Sequence, residues 1–386
     1  MSNSRKSASR LLWVLSAPLL AATAILCISG APENRGVVPF SYSITDLGTL
    51  GGFSSVALDI NELGHVCGGA DRTDGNRHGF FWKDGVMTDL GTLGHSQSEA
   101  WGINNQDQVV GLSSGNGNLA GGFLWQGGQI SEISPNNVYK DALALNDAGQ
   151  VVGQFHSNSG DGDHAYRWQN DVLLDLDAPG AQSLAWGINQ NGVVVGSSSA
   201  VSPPGPFRWE NGAMIGLGTL GGTVGSASGI NDSGDIVGWS LRAGSSQKHA
   251  FLWHSGNMSE IAALSAYDRS TAEDINNSGE VVGIVRISGL DEGYVYAAES
   301  GAYLLQNLVP PGSGWSEFSP RAINDAGQVV GDGTINGSRH ACLMTRHPPV
   351  PALGRTGAMA MAIFLCIVGA FLARRAPGPG AGFAVN

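Results

Sequence analysis

Cysteine and charged residues are scarce in this chain of 386 residues. Four cysteines occur, and only Cys67 and Cys342 lie between the two terminal segments. These two cysteines form no paired-cysteine motif. Each replaces an apolar residue of a repeated motif, so both are expected in the core. The sequence leaves open whether they pair.

Basic residues are especially few. Residues 32–347 contain all 32 acidic residues but only 14 of the 20 basic ones, a difference of −18. The other six basic residues lie in the terminal segments, at Arg5, Lys6, Arg10, Arg355, Arg374 and Arg375. A surface of this sign repels phosphate backbones, so no nucleic-acid partner is predicted.

Motifs of familiar catalytic and cofactor sites are also missing. The chain has no nucleophile elbow, P-loop, zinc-protease helix or paired-cysteine motif, so no catalytic residue, metal site or cofactor is predicted. Histidines recur, but each belongs to a different repeat and is expected to bond within it: His78, His164, His249 and His340. The recurring acids Asp46, Asp89 and Asp175 are expected to cap turns.

The sequence contains instead one unit that occurs seven times. Its clearest mark is a phrase close to Ile-Asn-x-x-Gly-x-Val-Val-Gly, with asparagines at Asn61, Asn104, Asn146, Asn189, Asn231, Asn276 and Asn324. Successive asparagines are 43, 42, 43, 42, 45 and 48 residues apart. Each unit contains four short runs rich in Val, Ile and aromatic residues, separated by Gly and Asn turns. A period of about 40–45 residues with short strands is typical of a β-propeller blade.

The repeat begins in the middle of a unit. Residues 42–52 form a fourth strand with no first three before it, and the last unit ends on a third strand at 340–343. If the N-terminal strand completes the last blade, no sheet edge stays open. We therefore predict an all-β fold, a seven-bladed β-propeller closed by an N-terminal strand that completes the last blade. Other all-β repeat arrays are the alternative.

Both ends of the chain are expected to be targeting segments. Residues 1–31 have a basic start and an apolar run, as in a secretory signal peptide, with an uncleaved signal anchor as the alternative. A linker at 32–40 leads to the propeller at 41–347, and a Pro-containing linker follows at 348–357. Residues 358–373 carry no charge and are predicted to cross the membrane, before a short tail at 374–386 that begins with two arginines. The predicted location is the cell envelope or cell surface, with a single-pass C-terminal anchor.

Residues 349–375 resemble bacterial C-terminal protein-sorting signals. They combine a short motif, Val350-Pro351-Ala352-Leu353, with a hydrophobic span and an Arg pair. The resemblance implies a sorting or processing enzyme that acts near residues Val350 to Leu353. Eleven residues follow the Arg pair, however, where such signals usually end. An ordinary tail anchor is the alternative.

The repeats resemble a bacterial extracellular repeat family named for its His-Ala-Phe motif. The matching residues are His249-Ala250-Phe251, His164-Ala165-Tyr166, His340-Ala341-Cys342 and the Asp-Leu-Gly-Thr-Leu-Gly-Gly segment at 46–52. The resemblance covers nearly the whole ring. It implies an exported bacterial protein and no established activity.

Residues that break the repeat are the candidates for ligand binding. The first strand of a blade lines the central channel, and the second and third positions of its Ala-x-x-Ile-Asn motif vary. The polar and aromatic residues there are Asp59, Trp101, Trp186, Glu273, Asp274 and Arg321. Because alternate side chains point to opposite faces of a strand, the sequence does not tell which position faces the channel.

We hypothesise a channel mouth with an acidic and arginine half and an aromatic half, a surface that suits sugars and polar small molecules. The alternative is that Arg321 pairs with Glu273 or Asp274 and that the tryptophans pack between blades. The function predicted is a cell-envelope binding module without catalytic activity, with a glycan or another surface protein as its ligand. A carbohydrate-active lyase or hydrolase using Asp59, Glu273 or Asp274, and a structural matrix protein, are the alternatives.

Overall fold

The computed structural model describes residues 40–115, 121–133, 140–156, 162–177 and 180–348. In these ranges the chain is almost all β-structure, with single-turn 3-10 helices at Ala262–Leu264 and Leu305–Asn307. The predicted signal peptide, sorting motif and C-terminal span lie outside the described residues. Within those residues, no helix has the length and apolar character needed to cross a membrane.

The strands form seven antiparallel sheets of four strands each. The first strands of the sheets are β2 (Gly51–Ile60), β6 (Gln97–Ile103), β10 (Lys140–Leu145), β14 (Ser183–Ile188), β18 (Gly221–Ile230), β22 (Ser270–Ile275) and β26 (Trp315–Ile323). The second strands are β3 (Val66–Arg72), β7 (Val109–Ser114), β11 (Val151–His156), β15 (Val194–Ser198), β19 (Ile236–Arg242), β23 (Val281–Ile287) and β27 (Val329–Ile335).

The third strands are β4 (Arg77–Lys83), β8 (Gly121–Gln126), β12 (Asp163–Gln169), β16 (Gly205–Glu210), β20 (Lys248–His254), β24 (Leu290–Ala297) and β28 (Ser338–His347). The fourth strands are β5 (Val86–Asp89), β9 (Gln129–Glu132), β13 (Val172–Asp175), β17 (Ala213–Gly216), β21 (Asn257–Glu260), β25 (Gly301–Leu304) and, in the last sheet, β1 (Ser41–Gly48). Each sheet therefore corresponds to one sequence repeat.

The seven sheets are arranged as blades around one axis. Each first strand contacts the first strand of the next blade, and β26 of the last blade contacts β2 of the first, which completes the circle. This confirms the prediction of an all-β, seven-bladed propeller. We number the blades 1 to 7 from β2 onward.

The core lies between blades rather than within them. One cluster, for example, joins Ala57 and Phe80 of blade 1 to Ala322, Val330 and Leu343 of blade 7. The aromatic residue of the third strand is fully buried in six blades, at Phe80, Phe123, Tyr166, Phe207, Phe251 and Tyr294. Because each blade completes its neighbour's core, the repeats stabilise one another as in other repeat proteins.

The last blade contains strands from both ends of the described chain. β1 pairs antiparallel with β28, from Ser41 opposite His347 to Gly48 opposite Ala341. Tyr42 of β1 is 1% exposed, and its hydroxyl donates a hydrogen bond of 3.1 Å to the carbonyl oxygen of Gly327. The contact of β1 with β28 is therefore both a hydrogen-bonded ladder and a packed apolar surface.

A closed ring of hydrogen bonds connects the blades near the axis. The repeated asparagine of each blade donates its side-chain Nδ2–H to the carbonyl oxygen of the same asparagine in the next blade, over 2.9–3.2 Å. The side-chain oxygen also holds its own turn. In Asn146, Oδ1 accepts the backbone N–H groups of Ala148 and Gln150. The buried asparagine thus links turn formation to blade association.

The recurring histidines face acids of their own blades, and His78, His164 and His340 form hydrogen bonds with them, as expected. Nδ1 of His249 lies 3.3 Å from Glu260 without a hydrogen bond. Each Nδ1 lies 2.7–3.3 Å from a carboxylate of the fourth strand, in the pairs His78–Asp89, His164–Asp175, His249–Glu260 and His340–Asp46. Asp46, Asp89 and Asp175 also accept the backbone N–H two residues ahead, which is the expected turn cap. No group of acids, histidines and cysteines among the described residues is arranged to hold a metal ion.

The two cysteines of the ring are buried and free. Cys67 packs between blades 1 and 2, in a cluster with Phe81 and Phe123. Cys342 packs between blades 6 and 7, in a different cluster. Each behaves as a small apolar residue in the core.

Candidate functional site

Every first strand carries a β-bulge at the same place. In blade 1, Ala57 pairs with Gly68 and Asp59 pairs with Cys67, which leaves Leu58 without a partner on β3. The same skip occurs in the other six blades. The bulged residues are Leu58, Trp101, Leu143, Trp186, Ser228, Glu273 and Arg321. A bulge bends its strand and redirects side chains, and bulges are frequent beside functional sites.

The bulged residues line one cavity on the axis. Its volume is about 270 Å³, and it extends to the turns that join the first and second strands. All six residues proposed from the sequence line it: Asp59, Trp101, Trp186, Glu273, Asp274 and Arg321. Residues at both variable positions of the motif therefore border the channel, because the bulge interrupts the alternation of side chains.

The bulged residues divide the cavity wall into two arcs. Blades 1 to 4 contribute an apolar arc of Leu58, Trp101, Leu143 and Trp186, and blades 5 to 7 contribute a polar arc of Ser228, Glu273 and Arg321. An apolar wall with a few polar groups on one side is typical of small-molecule sites.

The two tryptophans are open to the cavity. The side chain of Trp186 is 40% exposed, and that of Trp101 is partly buried. Neither belongs to the buried clusters that fill the spaces between the described blades. The alternative in which these tryptophans pack between blades is therefore not the arrangement found.

The charged residues of the polar arc do not form the expected ion pair. Oε1 of Glu273 accepts a hydrogen bond of 2.8 Å from the hydroxyl of Thr271 on the same strand. Arg321 is exposed, and its guanidinium forms no ion pair with any carboxylate in the described part of the chain. The alternative pairing of Arg321 with Glu273 or Asp274 is thus absent, and the guanidinium is open to a ligand.

Asp59 and Asp274 bind the neighbouring blade. Oδ2 of Asp59 accepts the backbone N–H of Ile103 in blade 2, over 2.8 Å. Oδ2 of Asp274 accepts that of Ile323 in blade 7, over 2.9 Å. Both carboxyls therefore have a structural role that the sequence did not indicate, in addition to bordering the cavity.

Burial perturbs both of these carboxyl groups. The pKa of Asp59 is raised from 3.8 to about 7, mainly by its removal from water. The backbone N–H of Ile103 opposes this rise in pKa, and the charge of Asp274 contributes to it. Burial likewise raises the pKa of Asp274 to about 6. A raised carboxyl pKa in a cavity is a common property of functional sites, although buried structural acids share it.

We expect Asp59 to make stability depend on pH. The folded protein holds the Asp59 proton up to about pH 7, while the unfolded chain releases it near 3.8. Stability of the wild type should therefore fall across this window, relative to Asp59→Asn, as pH rises. The free energy of unfolding in urea should be measured for both proteins at several pH values between about 4 and 7. The difference between the two free energies should change by about 1 kcal/mol or more over this range. A difference that does not change with pH would mean that Asp59 stays ionised.

A second ring of hydrogen bonds surrounds the end of the cavity. We call it the mouth ring, and it consists of the residue after each repeated asparagine: Glu62, Asn105, Asp147, Gln190, Asp232, Asn277 and Asp325. Each backbone N–H donates to the side-chain oxygen of the next member, over 2.7–3.0 Å, and Asp325 donates to Glu62 to close the cycle. Four of the seven members are carboxylates, so the mouth has a fixed negative edge.

Sequence reasoning missed the mouth ring and three bulged residues, Leu58, Leu143 and Ser228. The three bulged residues could have been found from their position, because each occupies the same place in its repeat as a residue that was selected. These three were passed over because they are apolar or small. The role of the mouth ring depends on contacts between repeats, which no single repeat contains.

No protein-family model and no curated protein sequence matches the chain. Solved structures do match its fold. Oligogalacturonate lyase from Vibrio parahaemolyticus is 11% identical with a TM-score of 0.54, and the match covers 80% of this chain and 98% of the lyase. The β-propeller domain of the Trilobed protease from Pyrococcus furiosus is 8% identical with a TM-score of 0.51, covering 78% and 98%.

A weaker match is TolB from Acinetobacter baumannii. It is 12% identical with a TM-score of 0.43, and the match covers 61% of this chain and 63% of TolB. At such identities the lyase and the Trilobed protease domain, whose TM-scores exceed 0.5, establish the propeller fold alone, since propellers carry unrelated functions.

Proposed function

We propose that this protein is a binding module of the cell envelope, without catalytic activity, and that a glycan binds in the axial cavity. The observation that carries the proposal is the set of seven bulges, which present an apolar arc with Trp101 and Trp186 opposite a polar arc with Glu273 and Arg321. Aromatic faces stack on the apolar faces of sugar rings, and carboxylate and guanidinium groups bond their hydroxyls. Export and a C-terminal membrane anchor, with or without processing near residues Val350 to Leu353, are part of the proposal.

A glycan array with the purified full-length protein tests the proposal. A selective hit is expected, and Trp186→Ala should weaken its binding by roughly 5-fold or more, since a stacked aromatic ring contributes about 1 kcal/mol or more. Phe53→Ala is the matched control, because Phe53 is an exposed aromatic residue, 87% exposed, outside the cavity. Equal losses in the two variants would show that the cavity is not the site.

A double variant tests the polar arc. Glu273→Gln combined with Arg321→Gln should leave the melting temperature close to that of the wild type. Among the described residues, the carboxylate of Glu273 is hydrogen-bonded to Thr271 of its own strand, and Arg321 forms no ion pair. Glycan binding should be lost. Unchanged binding in the double variant would eliminate the polar arc, and a blank array would favour a surface-protein ligand or a matrix role.

A carbohydrate lyase or hydrolase is the second candidate, because the pKa values of Asp59 and Asp274 are raised in the cavity. A binding module should leave its oligosaccharide intact during long incubation. Mass spectrometry of the bound glycan distinguishes the two functions. Shortened products that disappear in Asp274→Asn would establish the enzyme.

A further inference from the structure

Carboxyl groups dominate the charge of the axial cavity. Six carboxyl residues line it, namely Asp59, Glu62, Asp232, Glu273, Asp274 and Asp325. Arg321 is the single basic residue among the described residues of the lining. If Asp59 and Asp274 are both protonated, four carboxylates still face one guanidinium. The cavity is therefore negative, and Arg321 reduces this charge without reversing it.

The carboxylates of the mouth ring act on one another from separate blades. Burial raises the pKa of Glu62, and the charges of Asp325, Asp232 and Asp147 raise it further. Their side chains are held in place by the cycle of backbone N–H bonds. These fixed carboxylates repel one another, and the repulsion is strong because the low-dielectric wall weakens screening by water. A cation that binds between them relieves the repulsion.

We propose that the ligand is a sugar with a free, protonated amine, such as one unit of a glucosamine oligomer. This inference rests on the proposed glycan-binding function and specifies its substrate class. The ammonium group meets the carboxylates of Glu273 and the mouth ring, while Trp101 and Trp186 offer flat faces to the sugar ring. Tryptophan faces also attract cations, so both arcs favour the same ligand.

The same cavity disfavours the other ligand classes. A uronate would add a carboxylate to an already negative site, at the cost of like-charge repulsion. An N-acetylated sugar keeps the stacking surface but loses the charge. A basic peptide has the right charge, but two rigid aromatic faces complement the apolar face of a rigid sugar ring better than a flexible lysine side chain.

Calorimetry with the full-length protein tests this specificity. The probes are tetramers of glucosamine, N-acetylglucosamine and galacturonate, together with a tetralysine peptide. The glucosamine tetramer is expected to bind at least 10-fold more tightly than each of the other three. Its affinity should fall as salt is added, because exposed charges are screened.

The decisive variant neutralises the three mouth-ring carboxylates that line the cavity and leaves Asp147, which is outside the lining, unchanged. Glu62→Gln, Asp232→Asn and Asp325→Asn together retain a side-chain oxygen for each backbone N–H of the ring. Three ring members are already amides, at Asn105, Gln190 and Asn277, so an amide oxygen can accept the backbone N–H at these places. The variant does lose the two bonds that Nδ2 of Asn277 donates to Oδ2 of Asp232 and Asp325, because an amide NH2 group cannot accept them. The triple variant should lose at least 10-fold in affinity for the glucosamine tetramer.

A second triple variant controls for total charge. Asp84→Asn, Asp171→Asn and Asp268→Asn remove three exposed acids that lie outside the cavity lining. Affinity for the glucosamine tetramer should remain within 2-fold of the wild type. Equal losses in both triple variants would overturn the proposal, because the attraction would then come from overall charge.

The remaining outcomes separate this inference from the proposed function. Tighter binding of the acetylated or galacturonate tetramer, lost in Trp186→Ala, would overturn the amine specificity and leave glycan binding in place. Preferred binding of tetralysine would overturn the sugar assignment. No binding to any saccharide, here or on the array, would overturn both proposals.

Discussion

Gly111→Ala is expected to destabilise the propeller severely, although it adds one methyl group. Gly111 of β7 lies opposite the bulge of blade 2, where the first strand comes close. A Cβ at this position would lie 2.0 Å from the carbonyl oxygen of Glu99 and 2.7 Å from the ring of Phe123. The carbonyl belongs to the backbone of β6, two residues before the bulged Trp101, and cannot rotate away. We expect a loss of about 3 kcal/mol or more in the free energy of unfolding, or failure to fold.

Gly122→Ala is the matched control in the same blade. A Cβ there would meet its nearest neighbour, Ala142, at an ordinary 3.5 Å. Alanine already occupies the corresponding position in three other blades, at Ala165, Ala250 and Ala341. This variant should be as stable as the wild type or up to about 1 kcal/mol more stable. Chemical denaturation of both variants measures the difference, and similar midpoints would mean that the bulge yields easily.

Tyr42→Ala is expected to have the next largest effect, because it empties the contact between β1 and the last blade. Tyr42 is fully buried with Phe40, Leu305 and Phe318 in the cluster between blades 6 and 7. Loss of a buried aromatic ring costs about 3–5 kcal/mol. Hydrogen exchange in this variant should therefore become much faster in β1 and β28 than in the strands of blade 3. The reason is that β1 is paired with β28 without a connecting turn.

Tyr42→Phe separates the ring from its hydroxyl. The phenylalanine keeps the packing but leaves the carbonyl of Gly327 without the 3.1 Å bond. A loss of about 1 kcal/mol is expected, with hydrogen exchange in β28 close to that of the wild type. If hydrogen exchange in Tyr42→Ala becomes faster by the same factor in every blade, the contact between β1 and β28 is no weaker than the other blade contacts. That result would refute a special role of this contact in closing the ring.

Local features of the fold were predictable because each repeat contains its own signals. The Asn-x-x-Gly turn holds its Asn side-chain oxygen to backbone N–H groups two and four residues ahead, as in Asn146. The histidine and acid of His164 and Asp175 are eleven residues apart on paired strands, so their bond also forms within one unit. Turns and hairpins depend on residues that are close together in the chain, so they can be predicted directly from the sequence.

The sequence predicted which residues line the candidate site, but it did not predict how their side chains are arranged. The sequence selected Glu273 and Arg321 because they break the repeat, and both line the cavity. It could not show that the bulge brings adjacent positions to one channel, since a bulge is a property of a strand and its partner together. It also could not assign Asp59, whose oxygen reaches a backbone N–H 44 residues away.

By itself, then, the sequence determined the seven repeats, the four strands in each and the propeller. Only the tertiary structure decided how the repeats meet. The asparagine ring, the mouth ring and the free guanidinium of Arg321 each depend on groups in different blades, brought together when the ring forms. Period and turn chemistry are local and additive along a chain, whereas the charge and shape of an axial cavity arise from all seven blades at once.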